Sequence, residues 1–139
     1  MRLMPVNTNW WNRARYTLYA PVYDVVVRRL HRGRRRALAL LDVQPGERVL
    51  IVGCGTGLDL ELLPSSCPVT AVDLTPAMVE KTRARAAALG LAVDARVMDA
   101  SRLEFADGSF DCVLLHLILA VVPDPYDGRT LAAASLAVE

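Results

Sequence analysis

The sequence has few cysteines, and their spacing forms no recognisable framework. Among its 139 residues it has three, Cys54, Cys67 and Cys112. The number is odd and no Cys-x-x-Cys spacing occurs, so we expect reduced thiols, no disulfide and no metal site. Reduced thiols are typical of a cytoplasmic protein, which is the location that we predict.

The sequence also lacks an apolar run long enough to cross a membrane. The longest run, residues 112–123, includes His116 and is well short of the roughly 20 residues that a spanning helix needs. The N-terminus lacks the apolar centre of a signal peptide. A net charge of +1 predicts no particular partner, and the 53% hydrophobic content predicts one domain, residues 1–139, with a true core.

One dense cluster of glycines does occur, directly after a short apolar run. Val49–Val52 predicts a buried parallel strand, and Gly53, Gly55 and Gly57 follow it. A strand, a glycine turn and a helix together hold nucleotide-like ligands, because glycine permits close approach and the amides at a helix start are free donors. The dinucleotide fingerprint needs glycine where Leu58 stands, so the spacing disfavours a nicotinamide oxidoreductase and favours another adenosine cofactor.

Strand-like and helix-like segments alternate from this point onward. The predicted strands are Val49–Val52, Val69–Asp73, Val93–Met98 and Asp111–His116. Helices are predicted at Leu58–Leu63 and Pro76–Leu89, with Thr75 as the N-cap and Gly90 as the C-cap residue of the second. The alternation predicts an α/β fold with a Rossmann-like, doubly wound parallel sheet.

Residues 1–43 are predicted to form a helical cap on the α/β core of residues 44–139. A helix is expected from Val22 to about Leu41, and Gly33 is a candidate break. Its predicted core-facing side consists of Val22, Val26, Leu30, Ala37, Leu38 and Leu41. Its other side carries Arg28, Arg29, Arg32, Arg34, Arg35 and Arg36.

The arginine run on this helix has three interpretations. It is a solvated face, or, with Trp10 and Trp11 nearby, a surface for contact with an anionic membrane. Nucleic acid is the least favoured partner, because no recognition motif accompanies the charge.

Two aspartates follow the second and third predicted strands. A carboxylate at the tip of a strand, where Asp73 stands, accepts hydrogen bonds from both hydroxyls of a ribose. The alternative is a turn residue that caps the helix after Thr75. Asp99 is expected to accept from the exocyclic amine of an adenine, beside the Ala100 amide; the alternative is a local Asx turn.

Four ordered motifs resemble the class I S-adenosylmethionine-dependent methyltransferases, in particular those that act on quinones and phospholipids. The motifs are Gly53–Gly57, Ala71–Met78, Asp99–Ala100 and Phe105–Asp111, and Tyr19–Asp24 resembles the segment that covers the cofactor in that group. The resemblance implies that the glycines, with Cys54 between them, surround the methionine part of S-adenosylmethionine. It also implies that Asp73 binds the ribose, that Leu74, Asp99 and Ala100 lie against the adenine, and that the product is S-adenosylhomocysteine.

The sequence departs from the family pattern at two places. Ile51 stands where the family usually has an acidic residue that helps to fix the methionine amine. After Pro123 the further strands of the family are not recognisable, so we expect a fold that lacks the usual C-terminal strands. Such a fold exposes the strand at residues 111–116, which predicts a homodimer through residues 111–139.

The resemblance implies methyl transfer to a small or lipid-like acceptor by in-line displacement, a reaction that needs few side chains. His116 is the candidate base, with contact to the cofactor or simple packing as alternatives. Tyr16 and Tyr23 are expected to close the pocket over the methyl group, with packing against the core as the alternative. A second function stays open, that of a shortened S-adenosylmethionine-binding protein without catalysis of its own, acting as a subunit or regulator.

Overall fold

The computed structural model of the protein describes residues 31–115. Its elements are helix α1 (His31–Leu41), strand β1 (Val49–Val52), a 3₁₀ helix (Leu58–Leu62), strand β2 (Val69–Asp73), helix α2 (Pro76–Leu89), strand β3 (Val93–Val97) and strand β4 (Cys112–Leu114). The bounds predicted for β1, β2 and α2 are confirmed. The third and fourth strands are shorter than predicted, and the predicted helix after the glycines is a 3₁₀ helix.

The four strands form one parallel sheet in the order β3-β2-β1-β4. Val49 of β1 is in register with Val69 of β2 on one side and with Cys112 of β4 on the other. Parallel strands joined by helical crossovers confirm the Rossmann-like α/β fold. All strands point the same way, so the segments that follow β1, β2 and β3 leave from one edge of the sheet.

Strand β1 lies at the centre because it is apolar on both faces. Its four side chains are at most 1% exposed. Val49 and Ile51 point into one core, while Leu50 and Val52 point into a second core on the other face. Each such burial contributes about 1.5–3 kcal/mol, which favours a strand without a polar side in the middle of the sheet.

The two described helices pack on the same face of the sheet. Leu38 of α1, together with Val79 and Ala86 of α2, joins the core on the face of Val49 and Ile51. On the other face the core is completed by the segment after β3, where Phe105 and Phe110 meet edge to face with centroids 5.0 Å apart. Within residues 31–115, no helix combines the length and apolar character needed to cross a bilayer.

Helix α1 differs from its prediction in three ways. It runs through Gly33 without a break. Leu41, predicted to face the core, is 50% exposed. Arg34, assigned to the solvated side, is buried, because its guanidinium pairs with the carboxylate of Asp59.

Helix α2 begins and ends where expected, but its start is held differently. Gly90 has φ 67° and its amide donates to Ala87, as expected of a glycine that follows a helix end. Thr75 occupies the N-cap position without a side-chain capping bond. The Thr75 amide donates instead to the carboxylate of Asp73, at 2.9 Å.

Candidate cofactor site

The glycine loop, residues 53–57, leaves the centre of the sheet and turns back on itself. The amides of Gly53 and Cys54 both donate to the carbonyl of Val72 in β2, at 2.8 and 3.0 Å. The Gly57 amide closes the turn by donating to the carbonyl of Cys54, at 3.0 Å. Gly53, Gly55 and Gly57 all have positive φ, between 56° and 80°. Only glycine adopts this backbone without strain, which explains the alternate spacing.

Gly57 is also required by a close approach to α2. A β-carbon at this position would lie 3.1 Å from the backbone Cα of Thr82 and 3.1 Å from its hydroxyl oxygen. Helix α2 therefore packs directly against the backbone of the glycine loop.

Asp73, at the tip of β2, connects its strand to the glycine loop. One carboxylate oxygen accepts from the Gly55 amide at 2.9 Å, and the other accepts from the Thr75 amide at 2.9 Å. Burial raises the pKa of Asp73, and the hydrogen bonds from Thr75 and Gly55 oppose that rise. Within residues 31–115, no arginine or lysine pairs with this carboxylate. Asp73 therefore has the turn role given as the alternative, through its bond from the Thr75 amide. It also connects β2 to the glycine loop, through its bond from the Gly55 amide.

Asp99 lies near Asp73 because β2 and β3 are neighbours. Asp73 is in register with Val97, and the Met98 amide donates to the Asp73 carbonyl at 3.0 Å. One Asp99 oxygen accepts from both the amide and the hydroxyl of Ser101, at 2.9 and 2.7 Å. This is the Asx turn that the sequence offered as the alternative. The adenine role of Asp99 stays a prediction.

The other predicted residues at this edge follow the same strand tips. Ala100 is 6% exposed and packs in the core that contains Leu50 and Val52, and Leu74 is partly buried.

Cys54, between the first two glycines of the loop, is buried, and this burial is the main cause that raises the pKa of its thiol to about 12. Its sulfur is therefore a protonated thiol at neutral pH and a poor nucleophile.

Two polar groups on α2 hold the loop, and sequence reasoning missed both. The Thr82 hydroxyl donates to the carbonyl of Gly55 at 2.9 Å, and Arg85 Nε donates to the carbonyl of Thr56 at 2.8 Å. Their spacing in the sequence could have indicated them, since residues i and i+3 share one side of a helix. A threonine and an arginine on the side that faces a glycine turn are candidate donors to its carbonyls.

Arg34 and Asp59 were missed as well. Arg34 Nη1 lies 2.7 Å from an oxygen of Asp59, and the two side chains are 9% and 2% exposed. The pair ties α1 to the 3₁₀ helix after the glycine loop. The signal was periodic, because Arg34 stands one turn from both Leu30 and Leu38, which were assigned to the core-facing side.

Several predicted features lie outside the described residues. They are Tyr16, Tyr23, His116, Trp10, Trp11 and nearly all of the homodimer interface predicted at residues 111–139. Each stays a prediction, as does the division into a helical cap and an α/β core. Among residues 31–115, no group of three or more histidine, cysteine, aspartate or glutamate side chains is placed to hold a metal ion.

Known proteins resemble this chain in sequence. A family model for a methyltransferase domain matches residues 49–138. A phosphatidylethanolamine N-methyltransferase from Cereibacter sphaeroides is 36% identical over 106 residues, which are 75% of this chain and 52% of that protein. The chain thus spans about half the length of this relative, and about a third of several others.

Solved structures show the same fold. A chain in the Haloferax volcanii complex between the Trm112 methyltransferase activator and a methyltransferase superimposes with a TM-score of 0.79 at 25% identity, covering 91% of this chain and 55% of that one. An S-adenosylmethionine-dependent methyltransferase from Methanosarcina mazei gives a TM-score of 0.65 at 27% identity, covering 73% and 52% of the two chains. The chain belongs to the class I S-adenosylmethionine-dependent methyltransferases.

Proposed function

We propose that the chain binds S-adenosylmethionine across the glycine loop and the tips of β2 and β3, as part of an enzyme that methylates a small or lipid-like acceptor. The observation that carries the proposal is the bridge from Asp73 to the Gly55 amide. It joins a carboxylate, which accepts hydroxyl hydrogens, to a backbone segment that a ligand can approach closely.

The residues at this edge fit the cofactor of the family. The loop backbone is free of β-carbons at its three glycines, so the methionine part can approach it. Asp73 is a partly buried carboxylate without a cationic partner among the described residues, and an ionised carboxylate is an acceptor for hydroxyl groups. We assign it to the ribose hydroxyls, and we assign Leu74, Asp99 and Ala100 to the adenine.

Bound S-adenosylmethionine supplies an activated methyl group, so the protein has mainly to hold the reactants in line and exclude water. In this proposal, residues of the glycine loop and the strand tips hold the cofactor. Asp73 orients the ribose, and the glycine loop fixes the opposite end of the same molecule. His116 remains the proposed base for an acceptor that must lose a proton, and Tyr16 and Tyr23 are the proposed cover.

The proposal of a lipid-like acceptor rests on the Cereibacter relative, whose name specifies phosphatidylethanolamine. Contact with an anionic membrane is consistent with α1, on which Arg35 and Arg36 are exposed and Leu40 is 81% exposed. If α1 meets such a surface, co-sedimentation with vesicles rises with anionic lipid and falls with salt. Equal binding to neutral and anionic vesicles would leave these arginines as a solvated face.

Calorimetry with three ligands tests the cofactor assignment. We expect binding of S-adenosylmethionine and S-adenosylhomocysteine, and none of NAD at the same concentrations. Tighter binding of NAD would overturn the assignment.

Transfer is tested separately with methyl-labelled cofactor and vesicles that contain or lack phosphatidylethanolamine. Label in the lipid would support the proposed acceptor class. Cofactor binding without label in any acceptor of a panel would instead favour the alternative, a binding subunit or regulator without catalysis of its own.

A further inference from the structure

Four carbonyl groups of the glycine loop, those of residues 54–57, accept from donors of the protein itself. The Cys54 carbonyl accepts from the Gly57 amide at 3.0 Å, and the Gly57 carbonyl accepts from the Leu60 amide at 3.1 Å. The two carbonyls between them, at Gly55 and Thr56, accept from side chains of α2.

These two side chains reach the loop from one side of the helix. Thr82 is fully buried, and its hydroxyl lies 2.9 Å from the Gly55 oxygen. Arg85 Nε lies 2.8 Å from the Thr56 oxygen, while its Nη1 lies 2.7 Å from a carboxylate oxygen of Glu61 in the 3₁₀ helix. Arg85 is therefore fixed at two points, one before and one after the start of the 3₁₀ helix.

Gly55 is consequently held at both of its polar groups by elements that approach from different directions. Its amide donates to Asp73 at the tip of β2, and its carbonyl accepts from Thr82 of α2. Glycine has the widest conformational freedom of any residue, so a loop with three glycines needs such restraints to keep one shape. With both groups bonded, the orientation of the peptides around Gly55 is set without a ligand.

We infer that Thr82 and Arg85 are positioning residues for the cofactor. By holding the Gly55 and Thr56 carbonyls toward α2, they keep the glycine loop in its ligand-binding shape before the ligand arrives. The inference rests on the proposed function, because it takes the loop to be the cofactor site. Neither residue touches the reacting atoms. Their contribution is preorganisation, which raises affinity by lowering the ordering cost of binding.

The test at Thr82 compares two substitutions of similar size. Thr82→Val removes the hydroxyl and keeps the shape, whereas Thr82→Ser keeps the hydroxyl and loses a methyl group. Loss of one hydrogen bond corresponds to roughly a fivefold weaker affinity for S-adenosylhomocysteine in Thr82→Val. Thr82→Ser should bind within about twofold of the unmodified chain, since it keeps the donor. The inference is overturned if the serine variant is as weak as the valine variant.

Arg85 is tested against a neighbour on the same helix. Arg85→Met keeps the apolar stem and removes both donors, and the same roughly fivefold loss is expected. Arg83→Met is the matched control, because Arg83 contacts Glu80 and the Ala95 carbonyl at the edge strand and not the loop. Equal affinity losses in the two arginine variants would contradict a specific role for Arg85.

Amide hydrogen exchange without ligand separates this inference from the proposed function. In Thr82→Val, the Gly55 and Gly57 amides should exchange faster than in Thr82→Ser, while the amide of Ala86 in α2 keeps its protection. Unchanged exchange at Gly55 and Gly57 would overturn the positioning role, whatever the ligand data show. If the unmodified chain binds no S-adenosylhomocysteine, the proposed function fails, and so does the claim that this positioning serves the cofactor.

Discussion

The two ends of the sheet each carry an aspartate that joins separate segments, in opposite electrostatic settings. At the amino end, Asp111 is exposed and its oxygens accept from the Arg48 guanidinium at 2.9 and 3.0 Å and from the Arg48 amide at 2.8 Å. The hydrogen bonds from Arg48 lower its pKa to about 2. At the carboxyl end, Asp73 is bonded to the Thr75 and Gly55 amides, and burial raises its pKa.

The two aspartates differ in whether a cation of the protein compensates their negative charge. Asp111 pairs with the guanidinium of Arg48, so its negative charge is compensated within the fold. The Asp73 carboxyl lies where desolvation makes a negative charge costly, and among residues 31–115 no cation pairs with it. Groups kept in such a setting, at a strand tip beside a glycine loop, are typical of binding sites. The Asp111 pair stabilises the amino end of the sheet, and the carboxyl end is the site that we propose for the cofactor.

The largest expected effect distinguishes a buried arginine from an exposed arginine on helix α1. Arg34→Met removes the cation that lies 2.7 Å from Asp59, whose side chain is 2% exposed. Breaking a buried pair of this kind is expected to lower the free energy of unfolding by ~3 kcal/mol or more. Arg36→Met, on the exposed side of the same helix, should change it by ~0.5 kcal/mol or less. Urea unfolding measures both, and similar values for the two variants would contradict a buried pair.

Glycines offer a second contrast between the ends. Gly46, before β1, has φ +87° and open space around a built β-carbon, whereas Gly57 has φ +80° and Thr82 atoms at 3.1 Å. Gly46→Ala should cost only the left-handed backbone strain, ~1–2 kcal/mol. Gly57→Ala adds the displacement of α2 and should cost ~2–4 kcal/mol in all. Thermal unfolding compares the two, and an equal cost would mean that the approach of α2 does not constrain the loop.

The sequence was sufficient for the framework of this site. Runs such as Val49–Val52 are apolar on every residue, so they predict central strands, and glycines at alternate positions predict the turn. Asp73 and Asp99 were assigned to strand tips, and the structure places both at one edge of the parallel sheet. Their binding roles stay predictions.

The polar contacts that hold the loop were not predicted, because they depend on tertiary packing. Arg34 belongs by composition to an exposed arginine run, and only the position of Asp59 in space explains its burial. Nothing in the sequence distinguishes Thr82 from any other threonine in a helix. Only the tertiary structure brings its hydroxyl to the Gly55 carbonyl. Leu41 was assigned to the core by period alone, but it is the last residue of α1 and is half exposed.

A smaller effect follows from the pKa of Asp111. Its folded-state pKa of about 2 lies below the ordinary 3.8, so its pair with Arg48 stabilises the fold above pH 3.8 and loses that contribution as the pH falls toward 2. The stability difference between the unmodified chain and Asp111→Asn should therefore shrink steadily as the pH falls through this window. Urea unfolding at a series of pH values measures it. A difference that is as large at pH 2 as at pH 6 would mean that the carboxylate charge is not its source.

The central claim is that the carboxyl end of the sheet is the cofactor site and that Asp73 is its key anion. The most direct test is calorimetry of S-adenosylhomocysteine binding to the folded Asp73→Asn and Asp111→Asn variants, which remove one negative charge from each end of the sheet. We expect Asp73→Asn to lose ~2–4 kcal/mol of binding free energy, because charged acceptors make the stronger hydrogen bonds. Asp111→Asn should bind like the unmodified chain. Unchanged affinity in Asp73→Asn, or equal losses in both variants, would contradict the account.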